Sequence, residues 1–180
     1  MQNETLIAGF GGQGVLFTGK IMAHAAMAEN LQVTWFPSYG PEMRGGTANC
    51  TVVISDEEIG SPQVRQPHAV IAMNLPSLDK YENQVAPGGY LVINTSMVNR
   101  KAKRSDIHVL EVPGTELAEE LGDKRLANSI LLGALLAEAK FLKVGSVEKA
   151  LEESLHGNKK TMVEINKKAM QKGADYIKGK

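Results

Sequence analysis

Residues 1–36 constrain the fold more than any other stretch, because they carry the pattern of a strand, a glycine turn, a helix and a second strand. Residues 5–10 are apolar and lead into glycines, which predicts a buried strand. Residues 15–30 place apolar side chains at helical spacing, and Asn30 suits the C-terminal end of that helix. With a second strand at residues 32–36, this order predicts a βαβ unit with a right-handed crossover.

Beyond this unit the chain continues to alternate between strand and helix patterns. Residues 47–55 are rich in β-formers, and no helix separates them from residues 32–36, so we expect an antiparallel strand in a mixed sheet. Further strands are predicted at residues 69–73, 90–94 and 107–112, and further helices at residues 77–84, 115–121, 126–142, 147–156 and 159–177, with Ser146 as an N-cap. We expect one α/β domain over residues 1–180 with a helical C-terminal section.

The most apolar helical stretch is residues 126–142, in which Glu138 and Lys140 are the first charged side chains after Leu126. A helix that is apolar all round is buried, so we expect it either in the core or at a subunit contact. Any apolar surface that the chain itself leaves uncovered would attract a second copy. This argument predicts a possible homodimer of the isolated chain.

Composition excludes several classes of function. The 20 basic and 20 acidic residues give a formal net charge of zero. This charge does not favour binding to nucleic acid or to an acidic membrane surface. A single cysteine, Cys50, excludes an internal disulfide and any zinc or iron–sulfur site built from thiolates of this chain alone. We interpret Cys50 as a small buried hydrophobe, expect no metal site among the four histidines, and predict a cytoplasmic protein that does not contact a membrane.

The glycines of the first turn, Gly9, Gly11 and Gly14, match the Gly-x-Gly-x-x-Gly pattern between a strand and a helix. Such a turn lets helix amides approach an anion. A dinucleotide site also needs an acidic residue at the end of the second strand, and residues 34–38 contain none, so NAD and NADP are disfavoured. The turn therefore either binds a phosphate or allows close packing of helix and strand, with the amide of Gln13 at the helix start.

A second unusual stretch is residues 37–46, in which three glycines and two prolines exclude a helix or a central strand. It carries Tyr39, Glu42, Met43 and Arg44, side chains typical of a recognition surface. The alternative is a structural connection shaped by Pro and Gly, with an ion pair between Glu42 and Arg44.

One more polar residue, Asn74, follows the strand at residues 69–73. The carboxyl end of such a strand is a place where α/β proteins contact ligands. The alternative is that Asn74 caps the helix that begins near Pro76.

Together, these motifs resemble the gamma subunit of 2-oxoacid:ferredoxin oxidoreductases. The resemblance covers nearly the whole chain and is carried by residues 11–14, 37–50, 72–74, 76–79, 87–89 and 127–135. It implies a three-layer α/β/α fold with a mixed, mostly parallel Rossmann-like sheet. Enzymes of this family decarboxylate a 2-oxoacid on thiamine diphosphate, pass electrons through iron–sulfur clusters to ferredoxin, and form an acyl-CoA.

The resemblance also implies that this chain is an oxidoreductase subunit and is not a complete catalyst. Alpha, beta and delta-type subunits would be its partners, ferredoxin would act through the complex, and coenzyme A, the clusters and thiamine diphosphate with Mg would belong to the whole complex. This chain alone is expected to bind no cofactor. The sequence of residues 38–46 looks most like the 2-oxoglutarate type, which yields succinyl-CoA, with branched-chain 2-oxoacid or pyruvate versions as alternatives.

We assign no catalytic residue and no metal ligand to this chain. The candidate residues that face a ligand or another subunit are Gly11, Gly12, Gln13, Gly14, Ser38, Tyr39, Gly40, Pro41, Glu42, Met43, Arg44, Gly45, Gly46, Asn49 and Asn74. Arg44 suits a phosphate or a carboxylate, and Glu42 would orient it or a partner residue. Two other functions stay open: a stand-alone phosphate- or nucleotide-binding module, and a purely structural assembly subunit.

Overall fold

The computed structural model describes residues 1–40, 46–155 and 160–179. The strands are β1 (Gln2–Phe10), β2 (Gln32–Tyr39), β3 (Thr47–Ser55), β4 (Ala69–Ala72), β5 (Tyr90–Asn94) and β6 (His108–Val112). The helices are α1 (Val15–Ala28), α2 (Leu75–Tyr81), α3 (Gly114–Glu120), α4 (Ala127–Ala139), α5 (Val144–Ser154) and α6 (Lys160–Lys178). Two 3₁₀ turns lie at Glu82–Gln84 and Lys124–Leu126. Within the described part of the chain, no helix is both long and apolar enough to cross a membrane.

The strands form one sheet in the order β2-β3-β1-β4-β5-β6. Strand β3 runs antiparallel to β1 and to β2, as its direct connection to β2 predicted. The remaining pairs, β1–β4, β4–β5 and β5–β6, are parallel. The sheet is therefore mixed and mostly parallel, and β3 lies between the two strands of the predicted βαβ unit.

Helices cover both faces of the sheet, which confirms the predicted three-layer α/β/α fold. Alternate side chains of β1 point to opposite faces, so that Ile7 joins the core beneath α1 and α4 while Leu6 joins the core beneath α2. The first core is the larger one and also takes in residues of α5 and α6. Leu78 of α2 packs in the smaller one.

Helix α4 is the most deeply buried helix of the C-terminal section, with every residue from Ala127 to Leu136 buried. Helix α6 covers it at short range, since a Cβ on Gly133 would lie 2.0 Å from the Met170 carbonyl oxygen, and a Cβ on Gly173 would lie 1.9 Å from the Ile130 carbonyl oxygen. The apolar stretch therefore belongs to the core of the chain itself. This covering removes the argument that predicted a homodimer through an open face of this helix.

The C-terminal end of α1 explains why Asn30 predicted where this helix ends. Asn30 has a φ of 57°, the Asn30 amide donates to the Met27 carbonyl at 3.0 Å, and the Leu31 amide donates to the Ala26 carbonyl at 3.0 Å. These bonds form a Schellman motif, which satisfies carbonyls that the end of a helix leaves free.

Several predicted boundaries differ from the structure, and two of the differences have a clear physical reason. Residues 37–39 were assigned to a loop, but they belong to β2. Because β2 is an edge strand, Pro37 can sit in it without leaving an interior ladder bond unmade. Ser146 is not an N-cap, because α5 already begins at Val144, after Lys143.

Candidate site at the glycine turn

The turn between β1 and α1 needs glycine for two separate reasons. Gly12 and Gly14 have φ values of 94° and 79°, a left-handed conformation that other residues rarely adopt. In addition, a Cβ on Gly14 would lie 2.2 Å from Nδ2 of Asn128 in α4, and that amide nitrogen donates to the Gly14 carbonyl at 3.4 Å. Gly14 therefore allows α4 to approach the turn closely, a contact that the predicted packing of helix against strand did not include.

The side chain of Gln13 folds back over the end of β1. Its Oε1 accepts a hydrogen bond from the Phe10 amide at 2.6 Å and another from Asn74 Nδ2 at 3.1 Å. A Cβ on Gly9 would lie 2.6 Å from the same oxygen, so that glycine makes room for the Gln13 amide. Gln13 thus joins the ends of the neighbouring strands β1 and β4.

Asn74 performs the capping role that the sequence offered as an alternative. Its Oδ1 accepts a hydrogen bond from the Ser77 amide at 3.0 Å, which caps α2, and the residue is 2% exposed. The other end of its amide is engaged by Gln13. Asn74 is therefore buried beneath the site, where it holds the Gln13 side chain in place.

The Gln13–Asn74 hydrogen bond lies at the topological switch point of the sheet. Strands β1 and β4 are parallel neighbours, yet the helices that follow them pack on opposite faces, α1 in the larger core and α2 in the smaller one. In open α/β sheets, the crevice at the carboxyl ends of two such strands is where ligands bind. The glycine turn occupies that position.

The stretch at residues 37–46 ends beside the same turn. The Gly11 amide donates to the Gly46 carbonyl at 2.8 Å, and the Gly40 amide donates to the Thr47 carbonyl at 3.1 Å. Both ends of the loop are thereby held near the C-terminal end of β1. The candidate residues Pro41, Glu42, Met43, Arg44 and Gly45 lie outside the described residues.

Two cavities flank the glycine turn, and they differ in chemistry. The first, of about 270 Å³, is mainly apolar and extends from Gly11, Gly12 and Gly14 to Tyr39 and Ala48. The Tyr39 side chain at its edge is 53% exposed. This cavity, which we call the Tyr39 cavity, brings together candidates from both motifs.

The second cavity, of about 410 Å³, lies between the turn and the start of α4, and we call it the Arg125 cavity. Gln13, Met97 and Thr115 line it together with Lys124 and Arg125.

Arg125 makes a two-point contact with Asp123, Nε to Oδ1 at 3.0 Å and Nη2 to Oδ2 at 2.7 Å. This contact lowers the pKa of the Asp123 carboxyl. Sequence reasoning missed Lys124 and Arg125, although two basic residues directly before the apolar helix were a signal.

The remaining candidates, Ser38 and Asn49, do not join this site. They are paired across β2 and β3, and their side chains point to the opposite face from those of Tyr39 and Ala48. There they line a separate groove with Arg65 and Lys80. The structure therefore divides the predicted residues into two sets on different faces of the sheet.

The described residues are unsuited to holding a metal or a cluster. Cys50 is fully buried, its thiol donates to the Val15 carbonyl at 3.4 Å, and burial raises its pKa to about 12. The interpretation of Cys50 as a small buried hydrophobe is confirmed. Across residues 1–40, 46–155 and 160–179, no group of three His, Cys, Asp or Glu side chains is placed to bind a metal ion.

Comparison with known proteins identifies the family. The sequence profile described as pyruvate ferredoxin/flavodoxin oxidoreductase matches residues 4–176. The chain belongs to this family. The ketoisovalerate oxidoreductase subunit VorA of Methanothermobacter marburgensis is 40% identical over 173 residues, which cover 96% of this chain and 36% of that protein.

Two further relatives match end to end. The 2-oxoglutarate synthase subunit KorC of Methanocaldococcus jannaschii is 34% identical over 181 residues, covering 99% of this chain and 95% of that protein. The crystal structure of a keto/oxoacid ferredoxin oxidoreductase gamma subunit from Geobacter sulfurreducens PCA superposes with a TM-score of 0.83 at 29% identity, over 99% of both chains. The resemblance to gamma subunits is thereby confirmed, although the chain spans only 36% of the length of VorA.

Proposed function

We propose that this chain is the gamma subunit of a 2-oxoacid:ferredoxin oxidoreductase and that its glycine turn faces the catalytic subunits. The observation that carries this proposal is the Gly11–Gly46 hydrogen bond, which holds the two motifs typical of gamma subunits at one switch point. The reaction of the complex would convert a 2-oxoacid and coenzyme A into an acyl-CoA and CO₂, with two electrons passed to ferredoxin.

In this proposal the redox cofactors are held by the partner subunits. The single buried thiol of this chain cannot ligate an iron–sulfur cluster. The clusters would therefore be bound by partner subunits, and we propose that the alpha, beta and delta-type subunits of a cytoplasmic complex also bind thiamine diphosphate and Mg.

Coenzyme A is the one component for which the described residues offer a fitting surface. Lys124 places a positive charge beside the glycine turn that favours a phosphate group, whereas Arg125 is already paired with Asp123 and Glu119 also lines this cavity. We propose that this cavity and residues 39–46 line the path by which coenzyme A reaches the thiamine-bound intermediate.

For the substrate we propose 2-oxoglutarate. The end-to-end match with a 2-oxoglutarate synthase subunit supports this choice. A branched-chain 2-oxoacid is the second candidate, because the ketoisovalerate oxidoreductase subunit is more similar in sequence. Similar gamma-type chains thus occur with different named substrates, which suggests that other chains contribute to substrate selection.

The proposal is tested by purifying the complex through a tag on this chain under anaerobic conditions. The eluate is assayed for coenzyme A-dependent reduction of a viologen dye with 2-oxoglutarate, pyruvate and a branched-chain 2-oxoacid in parallel. We expect partner subunits and activity on 2-oxoglutarate. A chain that elutes alone and inactive, but binds a nucleotide in calorimetry, would instead support the stand-alone binding module.

An Arg44→Ala variant separates a ligand-facing subunit from a purely structural one. We expect the complex to assemble with unchanged stoichiometry while acyl-CoA formation falls by about tenfold or more, since one charge-assisted contact contributes about 1.5–3 kcal/mol. A Lys168→Ala variant on the exposed side of α6 serves as the control. Unchanged activity of the assembled Arg44→Ala complex would contradict the proposed role of Arg44.

A further inference from the structure

Among the described residues, no helix packs over the β2–β3 half of one sheet face. On the face that carries Phe36, helix α2 packs over β4 and β1, while α1 contacts β2 and β3 from the other side. Phe36 is consequently 51% exposed although it lies in the middle of a strand. Beside it lies an open groove of about 380 Å³, which we call the β2–β3 groove and define by Phe36, Ser38, Asn49, Thr51, Arg65 and Lys80.

The β2–β3 groove combines apolar surface with positive charge. Leu6 and Phe36 contribute apolar surface to the lining, and Arg65 and Lys80 contribute two exposed cations. Neither cation forms an ion pair with another described residue, and Lys80 only lies over the Tyr81 ring at 5.1 Å. No acidic side chain is among the described residues that line the groove, so a matching partner would carry carboxylates.

The free edge of β2 limits how the groove can be covered. Residues 32–39 carry no charge, so this edge strand lacks the protection against pairing that charged side chains give. Pro37, near the centre of this edge, has no amide to donate to an added strand. Strand addition would therefore be interrupted, and cover by the side chains of a folded partner is favoured.

A second copy of this chain is a poor occupant. A two-fold symmetric contact through the groove would bring the Arg65 and Lys80 side chains of two copies towards each other, and like charges across an interface are unfavourable. A catalytic subunit is favoured because the proposed function places this chain in a complex, and a carboxylate-bearing segment of that subunit would match the charge of Arg65 and Lys80. In VorA, the region that matches this chain makes up 36% of a longer polypeptide.

We propose that the β2–β3 groove is the docking site for a catalytic subunit of the same complex, through a segment that presents carboxylates to Arg65 and Lys80 and an apolar side chain to Phe36. This inference rests on the proposed function and adds a binding surface to it. Because the charges lie in the open, their attraction is screened by salt, and association weakens as ionic strength rises.

The test uses the complex co-expressed with its other subunits and reassembled from the separated gamma chain. Arg65→Glu/Lys80→Glu reverses the charge of the groove, and Phe36→Ser removes its apolar contact. Lys101→Glu/Lys168→Glu is the matched control, with the same change in net charge at exposed positions outside the groove. Circular dichroism and the unfolding midpoint of each free chain show that the variants fold.

We expect the dissociation constant for the other subunits to rise by tenfold or more in both groove variants and by less than twofold in the control. Unchanged dissociation constants in the folded groove variants would overturn the inference. So would loss of a homodimer of the free wild-type chain in Phe36→Ser, since a second copy would then be the occupant. Failure of the wild-type chain to associate with any subunit would instead overturn the proposed function.

Discussion

Gln13 determines how closely the ends of β1 and β4 are joined, because one oxygen of its side chain accepts from both Phe10 and Asn74. A residue without an acceptor at this position would leave the Phe10 amide without a partner in a partly buried turn. The turn would then become less well defined at the place where the proposed ligand path begins. The sequence predicted a role for this amide at the helix start, but its hydrogen-bond partners could be identified only from the folded structure.

Gln13→Leu is expected to lower the free energy of unfolding by about 1–3 kcal/mol, the usual cost of an unsatisfied buried donor. Gln13→Glu keeps an acceptor and places a negative charge near the start of α1, so it should cost about 1 kcal/mol or less. Urea denaturation of the isolated chain measures both values. Equal stability of the Leu variant and the wild type would show that these hydrogen bonds contribute little.

Cys50 gives the chain a pH dependence of stability in the alkaline range. Burial raises its pKa to about 12 in the folded chain, so only the unfolded chain loses this proton between about pH 8.5 and 12. The thiol contribution is therefore fully present below about pH 8.5 and declines above it, by up to about 1.4 kcal/mol per pH unit.

The difference in unfolding free energy between the wild type and Cys50→Ala, measured from pH 7 to pH 10, isolates this effect from other titrating groups. We expect the wild type to lose more stability than the variant as the pH rises. A thiol reagent should also label Cys50 at the rate of unfolding. Rapid labelling of the native chain would contradict the burial of this residue.

At the scale of elements, the contact between α4 and α6 depends on one glycine in each helix. Gly133 and Gly173 each place the backbone of their own helix against a carbonyl of the other helix. A carbonyl is part of the helix backbone and cannot move aside as a flexible side chain can. The two helices would have to separate to accommodate any larger residue at either position.

Gly133→Ala and Gly173→Ala should each therefore lower the unfolding free energy by about 3 kcal/mol or more, the upper range for overpacking. The matched control is Gly145→Ala in α5, where no described atom lies within 4 Å of the added Cβ. That change should be neutral or stabilising by about 0.5–1 kcal/mol, since Ala favours a helix over Gly. Thermal or urea denaturation of the three variants provides the comparison.

The elements also show which parts of the fold a sequence can predict. The bounds of β3 and β5 agree with their predicted ranges, because both are runs of β-forming residues that begin after glycines. Strand β2 was predicted too short, since the tolerance of Pro37 depends on an edge position that sequence alone does not reveal. The glycine turn and Asn74 were placed correctly at strand ends, whereas Lys124 and Arg125 enter the site only through the packing of α4.

At the scale of the whole molecule, the larger core joins the sheet to α1, α4, α5 and α6. We therefore propose that residues 1–180 unfold as one unit, in keeping with the predicted single domain. Trp35 is the only tryptophan and lies on β2, far from the C-terminal helices in the sequence. Its fluorescence and the helical circular dichroism signal should report one common transition in urea. Separate midpoints for the two signals would show that the C-terminal helices unfold independently.

The position of β3 between β1 and β2 also determines when the strands of this half of the sheet can pair during synthesis. When the ribosome has completed residues 1–39, both outer strands and their connecting helix exist, but neither strand has its neighbour in this half of the sheet. Only the emergence of residues 47–55 supplies the strand that pairs with both. The N-terminal half can therefore reach its native pairing only after Ser55 has left the exit tunnel, and a pause in translation before that point would leave β1 and β2 without their partner.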